Sequence, residues 1–220
     1  MSRQKQLLPL LLALPLAAVV LFLDACLPVG VGDPETSKVD PRLAGVWREI
    51  QDDGSEGAVV ALLPFDSRAY VLRSVGVERT GDGIKLKPGE SLYKAWLATV
   101  EGRTFVTAQP LYLREAIGDA RTPGFVVAAL TLSEDGTKIE VHGVNPSFDG
   151  LAPLKMLPGH IEYDASVAGS KAPSEEEARA LLRKVIAENL DKEGFFSMTA
   201  RYVRVTDKAL LKAIFESVTG

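Results

Sequence analysis

Cysteine and histidine, the residues most often used for covalent and acid–base chemistry, are scarce in this 220-residue chain: one cysteine, Cys26, and two histidines, His142 and His160. His160 follows Gly159 in a proline-rich stretch with Asp164 just beyond, so a hydrolase using His160, Asp164 and one of several serines can be drawn. His142 alternates with Val141 beside Glu140 and Lys138, away from the core register of a predicted strand. Gly54-Ser55-Glu56-Gly57 lacks the Gly-x-Ser-x-Gly spacing of a nucleophile elbow and falls in a predicted hairpin turn. Gly30-Val31-Gly32 with Lys38 lacks both the Gly-Lys-Ser/Thr ending and the preceding strand of a phosphate loop. Neither a His-Glu-x-x-His pattern, nor paired cysteines, nor calcium-loop spacing occurs, so no metal and no cofactor are expected. The carboxylates are scattered through turns and single out no acid/base pair. The expectation is a non-enzymatic protein in which Cys26 has the most distinctive surroundings.

Those surroundings are a basic opening, Met1 to Gln6 with Arg3 and Lys5, then an uncharged apolar run from Leu7 to Leu23, then Leu23-Asp24-Ala25-Cys26. A positive head followed by an apolar core is the layout of an export signal. The last four residues resemble the lipobox of bacterial lipoproteins, with Leu23, Ala25 and Cys26 in pattern and Asp24 out of it. The resemblance implies cleavage between Ala25 and Cys26, lipidation of Cys26, and a membrane hold through its acyl chains. Two alternatives are a retained membrane anchor, which Pro9 and Pro15 weaken, and plain secretion, which leaves an unpaired thiol in an oxidising compartment. Leu27 after the cysteine resembles outer-membrane-sorted lipoproteins of enteric bacteria and implies a periplasm-facing outer-membrane location.

Removing residues 1–25 takes away Arg3, Lys5 and Asp24, leaving 23 basic and 28 acidic residues out of 25 and 29, a mature net charge of −5. A mildly acidic chain without a basic run argues against nucleic acid as a partner and against electrostatic docking on anionic lipid. The remaining 195 residues suffice for one hydrophobic core, and no internal disulfide can form.

What must position any site follows from periodicity. Leu27 to Pro41 carries prolines, glycines and charges without a period, and reads as a flexible tether spanning roughly 20 Å and stretching to about 50 Å. From residue 42 on, short period-two segments predict strands near 43–51, 57–64, 69–77, 91–100, 104–109, 124–132, 138–144 and 195–205. Asp135-Gly136 and Glu101-Gly102 are hairpin signals, and Asp52-Asp53-Gly54 and Gly81-Asp82-Gly83 mark further turns. Residues 143–173 are broken by prolines and glycines into a lid, a packed loop or a disordered segment. Ser174 and Glu177 form a capping box opening a helix near 174–190, and a second apolar stripe predicts a helix near 207–218. The fold class is mainly β (α+β): an antiparallel meander that curls or closes into a barrel or half-barrel, with two amphipathic helices over an open end or across the outside.

Gly45-Val46-Trp47 resembles the Gly-x-Trp opening the first strand of lipocalins, whose Trp plugs the barrel floor beneath an arginine from the last strand. The resemblance implies that Arg201 or Arg204 fills that place. The second lipocalin motif, Thr-Asp-Tyr, is not matched, because Thr206-Asp207 is followed by Lys208. The chain is also similar to small uncharacterised proteobacterial lipoproteins over roughly residues 41–144 and the final strand and helix. It shares with them the early Gly-x-Trp, a Phe-x-x-x-x-Tyr (Phe65 to Tyr70) and a Gly-x-x-Phe (Gly102 to Phe105). Three functions follow as alternatives: an envelope lipoprotein binding an apolar ligand or a protein partner; a structural or assembly factor of an envelope complex with a filled barrel; and a hydrolase using His160. An interior pocket of a few hundred Å³ separates the first two.

Overall fold

A computed structural model describes residues 27–52, 56–80, 83–113, 124–151, 154 and 174–219. Eight strands run in chain order: β1 Gly45–Ile50, β2 Glu56–Pro64, β3 Tyr70–Thr80, β4 Gly83–Val100, β5 Arg103–Leu113, β6 Val126–Leu132, β7 Lys138–Val144 and β8 Phe196–Arg204. Each pairs antiparallel with its neighbours, and β8 returns to pair with β1, so the sheet closes as an up-and-down barrel with no free edge.

Local chemistry explains the tight turns. Glu101 and Gly102 both have positive φ (48° and 76°), the conformation that matches a two-residue hairpin to the right-handed twist of its strands. In the β6–β7 turn, Asp135 accepts hydrogen bonds from Ser133 Oγ and from the Thr137 backbone N–H and hydroxyl, which holds its carboxyl down at about 2. Strand β4 begins well before the predicted 91, because a register shift opposite Ser74 to Gly76 absorbs Pro88 and Gly89.

Alternation sorts the strands' side chains into two populations. One set, which includes Trp47, Leu62, Tyr70, Ala95, Ala108 and Ile139, packs with Leu72, Tyr93, Leu130 and Tyr202 as the barrel interior. Their strand neighbours point outward, and helices bury two patches of them. Helix α1 (Glu175–Asn189) lays Ala178, Leu182, Val185 and Ile186 over Val100, Phe105, Val127 and Val144. Helix α2 (Lys208–Thr219) lays Leu210 and Ile214 over Val46, Val59 and Ala61. Both helices therefore lie across the outside wall. Each starts on a side-chain cap: Ser174 Oγ accepts from the Glu177 N–H while Glu177 accepts from the Ser174 N–H, and Asp207 accepts from the Ala209 and Leu210 N–H groups. Among the described residues the buried apolar side chains lie inside the barrel, beneath the helices and beneath the segment before β1.

The expected tether over 27–41 is packed instead. Leu27 and Phe125 exchange two backbone hydrogen bonds (2.8 and 2.7 Å), and Leu27, Val29 and Val31 enter the core beneath α1. Gly30 lies so close to Trp96 and Thr107, and Gly32 to Ala98, that an added Cβ would come within 2.6–2.8 Å of them. The glycines that read as linker are what let this strap lie flat on β4 and β5. Trp96 Nε1 donates to the Gly32 carbonyl and Ser37 Oγ bridges the Leu97 backbone, so the strap continues the sheet's hydrogen bonding where β3 has ended.

Candidate functional site

Gly45, Trp47 and Arg204 are brought together by the β1–β8 closure, in which Trp47 and Arg204 are register partners. Trp47 is 2% exposed, and its Nε1 donates to the Leu43 carbonyl at 2.9 Å. The Arg204 guanidinium lies over the indole, 4.2 Å from the ring centroid, a cation–π arrangement. The guanidinium also donates to the carbonyls of Gly136 (3.0 Å) and Ala44 (2.8 Å) and to that of Arg42. Gly45 has φ 149°, and a Cβ there would meet Arg204 Nη1 at 2.4 Å, so this glycine makes room for the arginine. Arg201 is on the opposite face of β8, 62% exposed, with Asp52 and Glu140 as ion partners. The signal that separates the two arginines is the alternation Ala200, Tyr202, Arg204, which shares the inward face.

The same end of the barrel is closed by the strap. Leu43 is buried against Trp47, and the Tyr70 hydroxyl both donates to the Asp40 carbonyl (2.9 Å) and accepts from the Asp40 N–H (2.6 Å). Burial pushes the Tyr70 phenol up to about 12. Tyr202 is half-buried further up the interior beside Glu49, and desolvation, helped by that carboxylate, raises its phenol as well. Nothing in the sequence marked Tyr70 as the residue that holds the strap.

An open cleft of about 850 Å³ starts at this end, between the strap and the β4–β5 and β6–β7 hairpins, and extends along the outer wall to Arg183, His142 and Phe196. Its lining is mostly polar, with Asp33, Thr36, Ser37, Lys38, Thr99, Thr104 and Thr131 beside the apolar Leu97, Leu130 and Leu132. Its charges are largely engaged. Arg42 pairs with Asp40 and holds that carboxyl below its usual range, and Arg103 pairs with Asp191. Arg183 donates to the carbonyls of Thr99 and Val31.

His142 is the one described histidine. Its Nδ1 is 3.0 Å from the Thr199 hydroxyl, and Nε2 is 3.9 Å from Glu140, which also faces Arg201. These are cross-strand neighbours on the outer face of β7 and β8, where the paired backbone leaves no N–H to stabilise an oxyanion. His160, like Ala25 and Cys26, lies outside the described residues. So does most of 143–173; residues 145–151 and 154 contribute Leu151 and Leu154 to the core beneath α1. Among the described residues no group of three His, Cys, Asp or Glu could hold a metal ion, and no helix is long and apolar enough to cross a membrane. Comparison of the chain with protein-family models, with curated proteins and with solved structures gives no match.

Proposed function

We propose that the chain is a lipid-anchored envelope protein, held by acyl chains on Cys26, whose barrel is a non-enzymatic scaffold that binds a protein partner through the cleft at its strap end. The observation that carries the partner over an apolar ligand is the filling of the barrel. Trp47, Tyr70, Leu43 and Tyr202 occupy the interior, whereas the large concavity is open to solvent and mostly polar. Small-molecule sites are enclosed and predominantly apolar, and this cleft is neither. The resemblance of Leu23-Asp24-Ala25-Cys26 to a lipobox, and of Leu27 after it to outer-membrane-sorted lipoproteins, supports an envelope location facing the periplasm. Nothing in the chain's charge or in the site supports nucleic acid, and the His142 neighbourhood supports no acyl transfer.

Native mass spectrometry of the protein purified from its own host tests both halves. The expected species carries lipid mass at a Cys26 amino terminus and no apolar small molecule. A stoichiometric apolar ligand would refute the filled-barrel reading, and a bare thiol at Cys26 would refute the anchor. A photo-crosslinker at Thr104 in the cleft is expected to trap a discrete envelope protein that the same probe at Lys184, on the outer face of α1, does not. Equal capture at both positions removes the cleft from the proposal.

A further inference from the structure

The lining of the cleft reverses the charge of the chain. It carries four basic side chains, Lys38, Arg42, Arg103 and Arg183, against two carboxylates, Asp33 and Asp40, in a chain of 25 basic and 29 acidic residues. Asp40 neutralises Arg42, and Asp191 neutralises Arg103. Lys38 and Arg183 have no carboxylate partner among the described residues. Arg183 reaches from α1, is half-buried, and donates through Nη1 to the Val31 carbonyl (3.3 Å) and through Nη2 to the Thr99 carbonyl (2.8 Å). Carbonyl oxygens orient a guanidinium without cancelling its charge, and these two bonds leave most of its N–H groups unspent. Beside it, β4 runs past the start of β3, where Tyr70 stands opposite Ala95. On that edge Ser37 Oγ serves both backbone groups of Leu97, and Arg183 serves the Thr99 carbonyl. The N–H of the exposed Thr99, on the same side, has no partner among the described residues. A guanidinium and an open N–H on one wall of a cleft form a receptor for a carboxylate.

We infer that the cleft takes an acidic segment of the partner protein, with one carboxylate at Arg183 and Thr99 and another at Lys38. This rests on the partner reading above and adds the partner's chemistry to it. A carboxylate at Arg183 completes a half-buried guanidinium and contributes more than a rim ion pair; the exposed Lys38 contributes steering. The net negative charge of the chain repels long polyanions, so a short acidic segment fits these two points where a nucleic acid or an anionic membrane does not.

The test repeats the Thr104 photo-cross-link in full-length protein processed in its host and identifies the trapped segment by mass spectrometry. A fluorescent hexaglutamate peptide, added to the same protein in detergent, serves as a defined probe. The trapped segment is expected to be rich in Asp and Glu, and hexaglutamate is expected to bind in a salt-sensitive way. Lys38→Glu should weaken that binding about two- to fivefold, and Arg183→Gln further. Lys184→Glu, the same charge change as Lys38→Glu but on the outer face of α1, should leave it unchanged. Lys38 is exposed on the strap, so its variant keeps the test valid even where loss of the Arg183 bridges unfolds the protein. Equal weakening by Lys38→Glu and Lys184→Glu, or no binding of hexaglutamate, overturns the carboxylate site. An oligonucleotide of equal charge that binds as tightly marks a general anion site and overturns the acidic segment. A neutral or basic trapped segment overturns the inference and leaves the cleft reading standing, and a cross-link only to the protein's own chain overturns it too. Failure to trap any discrete protein from Thr104 overturns the cleft reading and the inference together.

Discussion

Replacing Arg204 by alanine probes the contact on which barrel closure is centred. The guanidinium stacks on Trp47 at 4.2 Å and donates to three carbonyls, two from the chain leading into β1 and one from the β6–β7 turn. A partly desolvated cation–π contact contributes about 1–2 kcal/mol. The carbonyls are near the rim, where water can replace the lost donors, so each hydrogen bond adds at most about 1 kcal/mol net. The expected loss for Arg204→Ala is therefore about 2–4 kcal/mol in a urea melt followed by tryptophan fluorescence. At about 2–4 °C per kcal/mol for a chain of this size, Tm should fall by roughly 5–15 °C. Arg201→Ala removes only exposed ion pairs and should cost about 0.5 kcal/mol or less. A double-mutant cycle of Arg204→Ala with Trp47→Leu should return a coupling of about 1–2 kcal/mol. Equal losses for the two arginine variants, or a coupling below ~0.3 kcal/mol, would show that the stacked pair does not hold the closure.

Tyr70→Phe deletes the hydroxyl that both donates to and accepts from the Asp40 backbone; stability should drop by about 1–3 kcal/mol, and amide exchange at Asp40 should speed up before global unfolding. An unchanged exchange rate at Asp40 would place the strap's attachment elsewhere. Gly30→Ala drives a Cβ to 2.7 Å from Trp96 and should cost about 1–3 kcal/mol by overpacking, with a shift in Trp96 emission; a neutral result would mean that the strap can lift without loss. Asp135 is depressed from 3.8 to about 2 in the fold, so its contribution is complete above the unfolded value and is lost as pH falls from about 4 to about 2. Asp135→Asn should flatten that part of the acid branch of a Tm–pH curve, and an unaltered branch would assign the acid loss to other carboxylates.

Features built from neighbours in the chain were legible before any fold was known. Each of the eight strands overlaps its predicted place, although β4 and β5 run longer at one rim, because period-two alternation and turn residues act over a few residues. The Glu101-Gly102 turn needs two left-handed residues wherever it occurs, and the Ser174/Glu177 box satisfies helix N–H groups locally. What tertiary structure alone decided depends on partners far apart in sequence. Pairing β1 with β8 joins Trp47 to Arg204 across 156 intervening positions and selects Arg204 over Arg201, a choice made by register. Residues 27–41 have the composition of a tether yet form a strap, because glycines and prolines suit a loose coil and a segment pressed on a sheet alike. Trp96 and Thr107, the surfaces it presses on, belong to strands more than 60 residues away. Helix placement was open for the same reason: an apolar stripe records that a face is buried, while the outward Val59, Phe105 and Val127 that bury it belong to no local pattern.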